Sequence, residues 1–132
     1  MSTIKSISPT QAYEILQSNS QAKLIDTRTF IEHSFIGHPV DAIHVTFKRP
    51  PNWDVLPDFI EQLESHSIDK STPLVLMCRS GARSMAAAKV LEQAGYQSLY
   101  NMDEGFEGDK DSNNHRNTLG GWRFHQLPWE QS

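Results

Sequence analysis

The chain has a single cysteine among its 132 residues, so it cannot form an internal disulfide. That fits a reducing compartment and argues against a self-contained dithiol redox enzyme, which needs a second thiol. No apolar run approaches the roughly 20 residues that span a bilayer. The polar start MSTIKSISPT lacks the hydrophobic segment of a secretory signal. The expectation is a cytoplasmic protein with no membrane partner. Excess positive charge is also missing. Lys and Arg number 12 against 16 Asp and Glu, a formal net charge of -4, and no basic stripe interrupts the balance. Nothing here would attract a phosphate backbone, so nucleic acid is not an expected partner. Repeats, low-complexity tracts and linkers are lacking too, and 15.0 kDa suits one domain over residues 1–132.

What is present reads as alternating strands and helices. Ser8-Pro9-Thr10-Gln11 opens a helix, with a hydroxyl cap, proline at the first helical position and glutamine three residues past the cap. Ala12, Ile15 and Leu16 supply its apolar stripe, and it is expected to end near Asn19. Leu24-Ile25 leads into Asp26-Thr27-Arg28 as a short buried strand, and Ala42 to Val45 reads as another, with a helical turn over Ile31 to Ile36 between them. Val55, Leu56, Phe59, Ile60 and Leu63 recur at helical spacing. Leu74 to Met77 is a continuous apolar run, the pattern of a central strand covered on both faces. The segment from Ser84 to Ala94 is rich in helix formers, with Ala87, Val90, Leu91 and Ala94 available for packing and Gly95 just past its end. Gln97 to Tyr100 completes the series as a short strand. This order predicts an α/β fold: a small, mostly parallel sheet with helices on both faces. In such sheets ligands collect beyond the carboxyl ends of the strands, where Cys78 stands.

Cys78 therefore draws the chemistry. It follows an apolar strand and precedes a helix whose first amides have no internal acceptor, and Arg79 and Arg83 flank it. Amides, helix dipole and guanidinium charge all favour an anion at the sulfur. Gly81 permits the backbone dihedrals of an anion nest, and Ser80 and Ser84 offer hydroxyl donors. An isolated cysteine is more often a small buried hydrophobe. Two arginines beside it argue otherwise.

The remaining polar groups are weaker candidates. Of the six histidines, none forms a compact ligand motif with Cys78, and no metal is expected. His38 reads as a turn-stabilising residue. His115 and Arg116 are candidates for the pocket periphery if the polar segment from Gly108 to Gly121 folds back over the site. Asp103 and Glu104 read as solvated carboxylates, and Trp53, Trp122 and Trp129 as packing residues. The tail from Gly121 to Trp129 carries enough aromatic area to dock on the body, through Trp122, Phe124, Leu127 and Trp129.

CRSGARS at 78–84, LIDTR at 24–28, GHPVDAIHV at 37–45, AGYQSLYNMDEGFEG at 94–108 and GW at 121–122 together resemble the rhodanese family, specifically its single-domain sulfurtransferases. The resemblance runs from about 8 to 129. It implies the rhodanese-like three-layer fold, Cys78 as the sulfur-carrying residue, and a persulfide-binding loop of Arg79, Ser80, Gly81, Ala82, Arg83 and Ser84. It implies that Arg79 and Arg83 recognise an anionic donor or brace the loop, and that Asp26 and Arg28 are structural. Three departures stand out: His38-Pro39-Val40-Asp41 in a turn the family usually spells differently, Glu104-Gly105 where a glycine pair is common, and the polar insertion at about 108–119.

The implied activity is double displacement. Sulfane sulfur passes from thiosulfate or a low-molecular-weight persulfide to Cys78, then to a thiol or to cyanide, with no metal, nucleotide or redox cofactor. Four residues separate Cys78 from Arg83, the compact spacing of sulfur-binding members, whereas related phosphatases carry a longer loop that admits phosphate oxygens. A small phosphatase or arsenate reductase is thus the lesser enzymatic alternative. A noncatalytic binding or regulatory module is the other.

Overall fold

The structure, a computed structural model, describes residues 3–132. Five parallel strands form its centre: β1 (Ile4–Ile7), β2 (Lys23–Asp26), β4 (Ile43–His44), β7 (Leu74–Met77) and β8 (Leu99–Met102), in the order β1-β8-β7-β2-β4. All four pairings are parallel, with Asp26 of β2 opposite Met77 of β7. Two small antiparallel ribbons lie apart from the sheet. One pairs β3 (His38–Pro39) with β9 (Trp129–Glu130); the other pairs β5 (Lys48–Arg49) with β6 (Asp54–Val55) across a cis Pro50–Pro51 bond.

The layers follow from the pleat, because alternate side chains of a strand point to opposite faces. Leu74 and Leu76 of β7 join Ile25 and Leu99 under helices α2 (Phe59–Glu64) and α3 (Ala82–Gln93), whose Phe59, Leu63, Ala87, Ala88 and Leu91 are buried there. Val75 and Met77 join Leu24 and Met102 on the other face, covered by Ala12 of α1 (Pro9–Ser18) and by Phe106 and Trp122. The continuous apolar run of β7 thus serves two cores, the usual state of a central parallel strand. Among the described residues no helix is long and apolar enough to cross a membrane.

Several expectations are met locally. Helix α1 starts with a complete capping box, Gln11 N–H to Ser8 Oγ at 3.2 Å and Ser8 N–H to Gln11 Oε1 at 2.9 Å, and ends at Asn19. Gly95 follows α3 with φ +98°. The helical turn expected over Ile31 to Ile36 is a π-turn at Glu32–Ile36, closed by Gly37 N–H to Glu32 C=O at 3.2 Å.

Others are corrected. Strand β1 lies in the N-terminal segment read as polar: it pairs along its whole length with β8, so distant chain supplies its hydrogen bonds. Val55 belongs to the β5–β6 ribbon and is exposed, which leaves α2 only six residues long. Val90 faces solvent, because the packing face of α3 is filled by Ala87, Ala88 and Leu91. In the tail Trp122 is buried, with Nε1–H donating to Pro128 C=O at 2.8 Å, while Phe124 and Trp129 stay substantially exposed.

Candidate active site

Two neighbouring strand ends build the site. Where β7 stops, Cys78 is buried at 1% exposure, and the chain turns through Gly81 into α3. Gly81 has φ +114°, and a Cβ there would sit 2.5 Å from the Asp103 carbonyl oxygen, so the turn admits glycine alone. Its amide points back at the nucleophile, Gly81 N–H to Cys78 Sγ at 3.1 Å.

The loop is held from behind through its carbonyls. Phe106 N–H donates to Cys78 C=O at 2.9 Å, and the amides of Glu107 and Gly108 both donate to Arg79 C=O. Asn101 Nδ2 and Met85 N–H donate to Gly81 C=O, at 3.2 and 3.1 Å. Gly105 makes this close approach feasible: at φ +66°, a Cβ on it would come 2.5 Å from the Arg79 carbonyl carbon. Because peptide planes are rigid, tying down the carbonyls also fixes the amides. Those of Ser80, Ala82, Arg83 and Ser84 donate to no group among the described residues. Ser84, fully buried, has one hydroxyl proton and three acceptors near it: Asn101 Oδ1 at 2.5 Å, Gly81 C=O at 3.2 Å and Cys78 Sγ at 3.4 Å.

The two flanking arginines differ. Arg83 forms a two-pronged pair with Glu32 of the π-turn, Nη1–Oε1 and Nη2–Oε2 both at 2.8 Å, and stacks 5.3 Å from the centre of the Trp53 ring. Burial by itself would raise the Glu32 carboxyl, but the Arg83 guanidinium and two donors from Thr29 hold it below the usual range. Arg79 is nearly half exposed, with Nε 3.2 Å from the buried Glu107 carboxylate.

At the adjacent strand end, Asp26 and Arg28 make a buried network in which Arg28 Nη1 has no acceptor among the described residues. Asp26 accepts from Arg28 N, Nε and Nη2 at 3.0, 2.9 and 2.8 Å, and from His33 Nδ1 at 2.7 Å. Burial acts to raise its pKa, yet the His33 and Arg28 hydrogen bonds and the Arg28 charge hold it at about 2. Arg28 lies 4.6 Å from the Phe106 ring and also donates to Gly37 C=O. His33 stacks between His38 and His44, ring centres 3.8 and 4.6 Å away, and His38 Nδ1 donates to His33 C=O at 2.7 Å. Thr27 links this network to the nucleophile: both its amide and its hydroxyl donate to Met77 C=O, each at 2.9 Å, one residue before Cys78.

A cleft of about 380 Å³ opens over Cys78. Its walls come from three separate stretches: Arg79, Ser80, Ala82 and Arg83 of the cysteine loop, Lys48 and Trp53 of the β5–β6 ribbon, and Arg116 of the 108–119 insertion. His115, by contrast, is exposed and does not line it; its amide donates to Asp111 Oδ1 at 2.9 Å inside the insertion. A second cavity, about 400 Å³ beside the start of β2, is lined by residues that include Tyr13, Lys23 and Trp122 and lies away from Cys78.

Residue patterns alone missed Glu32, Asn101, Glu107, Lys48 and Trp53 as parts of this site. Asn101 had a signal, a carboxamide in the middle of a buried strand. The others sit on loops and a ribbon and carry none. Glu104, read as solvated, accepts instead from Gly121 N–H and pairs with His125 Nε2, both at 2.9 Å, and so anchors the C-terminal turn.

Comparison with known proteins identifies the family and the fold. A crystal structure of the Mycobacterium tuberculosis protein Rv0390 superposes with a TM-score of 0.86 and 35% identity, covering 97% of this chain and 98% of that one. An uncharacterized protein of Rickettsia conorii is 33% identical over 97% of this chain and 98% of its own length. The thiosulfate sulfurtransferase GlpE of Actinobacillus pleuropneumoniae is 30% identical over 80% of this chain and 86% of its own. The profile of the rhodanese-like domain matches residues 8–112, and the chain belongs to that family.

Proposed function

We propose that this protein is a sulfurtransferase that carries sulfane sulfur on Cys78. The observation behind this reading is the nucleophile loop itself: a buried sulfur that already accepts one amide, in a loop whose other amides, those of Ser80, Ala82, Arg83 and Ser84 among them, have no acceptor among the described residues. A lone thiolate has little use for so many donors. A persulfide places a second, charged sulfur farther out, where those donors stabilise it.

The cycle has two displacements. The Cys78 thiolate attacks the outer sulfur of thiosulfate, forming a Cys78 S–S bond as the sulfur–sulfur bond of the donor breaks, and the electron pair leaves with sulfite. Cyanide, or a thiolate, then attacks the outer sulfur of the persulfide and leaves as thiocyanate or as a new persulfide. The Cys78 thiolate returns, and no net redox change occurs. The expected partners are a small anionic donor and a thiol or cyanide acceptor, in a reducing compartment such as the cytoplasm.

Intact-mass measurement after mixing reduced protein with thiosulfate tests the reading. The expected result is a gain of about 32 Da on wild type and none on Cys78→Ser, reversed by cyanide with thiocyanate formed. No adduct with thiosulfate or with glutathione persulfide overturns it.

A further inference from the structure

The two arginines that flank the nucleophile are poor receptors for a donor anion. Both guanidinium prongs of Arg83 are taken by Glu32, and Arg79 leans on Glu107. The cleft nevertheless holds two cations with no carboxylate partner among the described residues, Lys48 and Arg116. They reach the cleft from elements separate from the loop: the β5–β6 ribbon and the 108–119 insertion. Arg116 is fixed in place by Nη1–H donating to Gly108 C=O at 2.7 Å, yet its Nε is shielded from solvent with no acceptor.

We infer that Lys48 and Arg116 form the subsite for the oxyanion head of the sulfur donor, and that Arg83 is a positioning residue that fixes the loop through Glu32. This rests on the sulfurtransferase reading and adds to it the residues, outside the cysteine loop, that hold the sulfonate of a donor such as thiosulfate. The insertion, which otherwise has no evident role, becomes the part of the chain that supplies this specificity. An overall charge of -4 repels such donors, so a local pair of unneutralised cations has a steering role as well.

Single-turnover loading of Cys78, followed by mass, separates the roles. With thiosulfate, Lys48→Ala and Arg116→Ala should each raise the half-saturating concentration about tenfold, with a smaller effect on the limiting rate. Arg116→Lys should recover part of the loss. Glu32→Gln should lower the limiting rate while leaving half-saturation near its wild-type value. Inorganic polysulfide, which has no oxyanion head, should show shifts of about threefold or less in Lys48→Ala and Arg116→Ala. Unchanged half-saturation for thiosulfate in both alanine variants overturns the subsite, as does an equal shift with both donors.

If wild type gains no sulfur from any donor, the sulfurtransferase reading fails, and the subsite is decided by titrating thiosulfate into Cys78→Ser. Binding lost on adding Lys48→Ala or Arg116→Ala upholds it; binding that persists, or is never seen, overturns it. Lys48 lies on a surface ribbon, so its variant remains decisive should Arg116→Ala fail to fold.

Discussion

Two loops leave the same edge of the sheet side by side, one after β2 and one after β7, and they use their polar groups in opposite ways. After β2, the Asp26 carboxylate is saturated by donors from Arg28 and His33. After β7, the carbonyls are bound from behind while amides of the cysteine loop, those of Ser80, Ala82, Arg83 and Ser84 among them, have no acceptor among the described residues. A saturated carboxylate is a scaffold, since it has nothing further to bind. Unsatisfied donors held rigid by their neighbours are a preorganised receptor for charge that arrives during reaction.

The contrast can be broken from either side. The largest effect should come from Cys78→Ser, which removes the sulfur carrier that we propose. Mass measurement should show complete loss of loading, and urea denaturation a change of about 1 kcal/mol or less, because the loop keeps its bonds from Phe106, Glu107 and Asn101.

Next is Asp26→Asn, which strands the buried Arg28 charge and should cost about 3–5 kcal/mol in the same denaturation experiment. Its signature is in the pH dependence. The unfolded chain binds the Asp26 proton near 3.8 and the folded chain only near 2, so stability rises with pH between those values. The carboxylate's contribution is complete above about pH 4 and is lost as the pH falls through about 2; Asp26→Asn should flatten that part of the profile.

Gly81→Ala should cost about 2–3 kcal/mol, since φ +114° and the Asp103 carbonyl both resist a Cβ. Sulfur loading should fall as well, because the amide facing Cys78 Sγ would move. Glu32→Gln is the mildest change, at about 1–2 kcal/mol in thermal or urea unfolding, as one hydrogen bond to the partly exposed Arg83 can survive in the amide. If Asp26→Asn proved harmless and Glu32→Gln severe, the division between scaffold and receptor would be reversed.

Parts of the molecule decided by local chemistry were open to reading from residue order. The capping box at Ser8 involves groups three residues apart, the apolar run at 74–77 needs only to be buried on both faces, and the cysteine loop needs glycine at position 81 whatever surrounds it. Groups whose partners are far along the chain were not open to it. Strand β1 finds its hydrogen bonds on β8, and the Ile4–Ile7 segment gives little sign of that on its own. Arg83 lies in the cysteine loop, and residue order left it between recognising an anionic donor and bracing the loop, because its partner Glu32 is 51 residues away.

The sequence by itself determined the α/β class and the strand-loop-helix unit that carries Cys78, because each depends on short-range geometry or on simple burial. Only the tertiary structure decided which cations are neutralised, which amides remain unpaired, and that the 108–119 insertion brings Arg116 but not His115 to the cleft. Those outcomes depend on which charges and dipoles meet across the fold, and Coulomb and hydrogen-bond energies change steeply over a few ångströms that no spacing along a chain specifies.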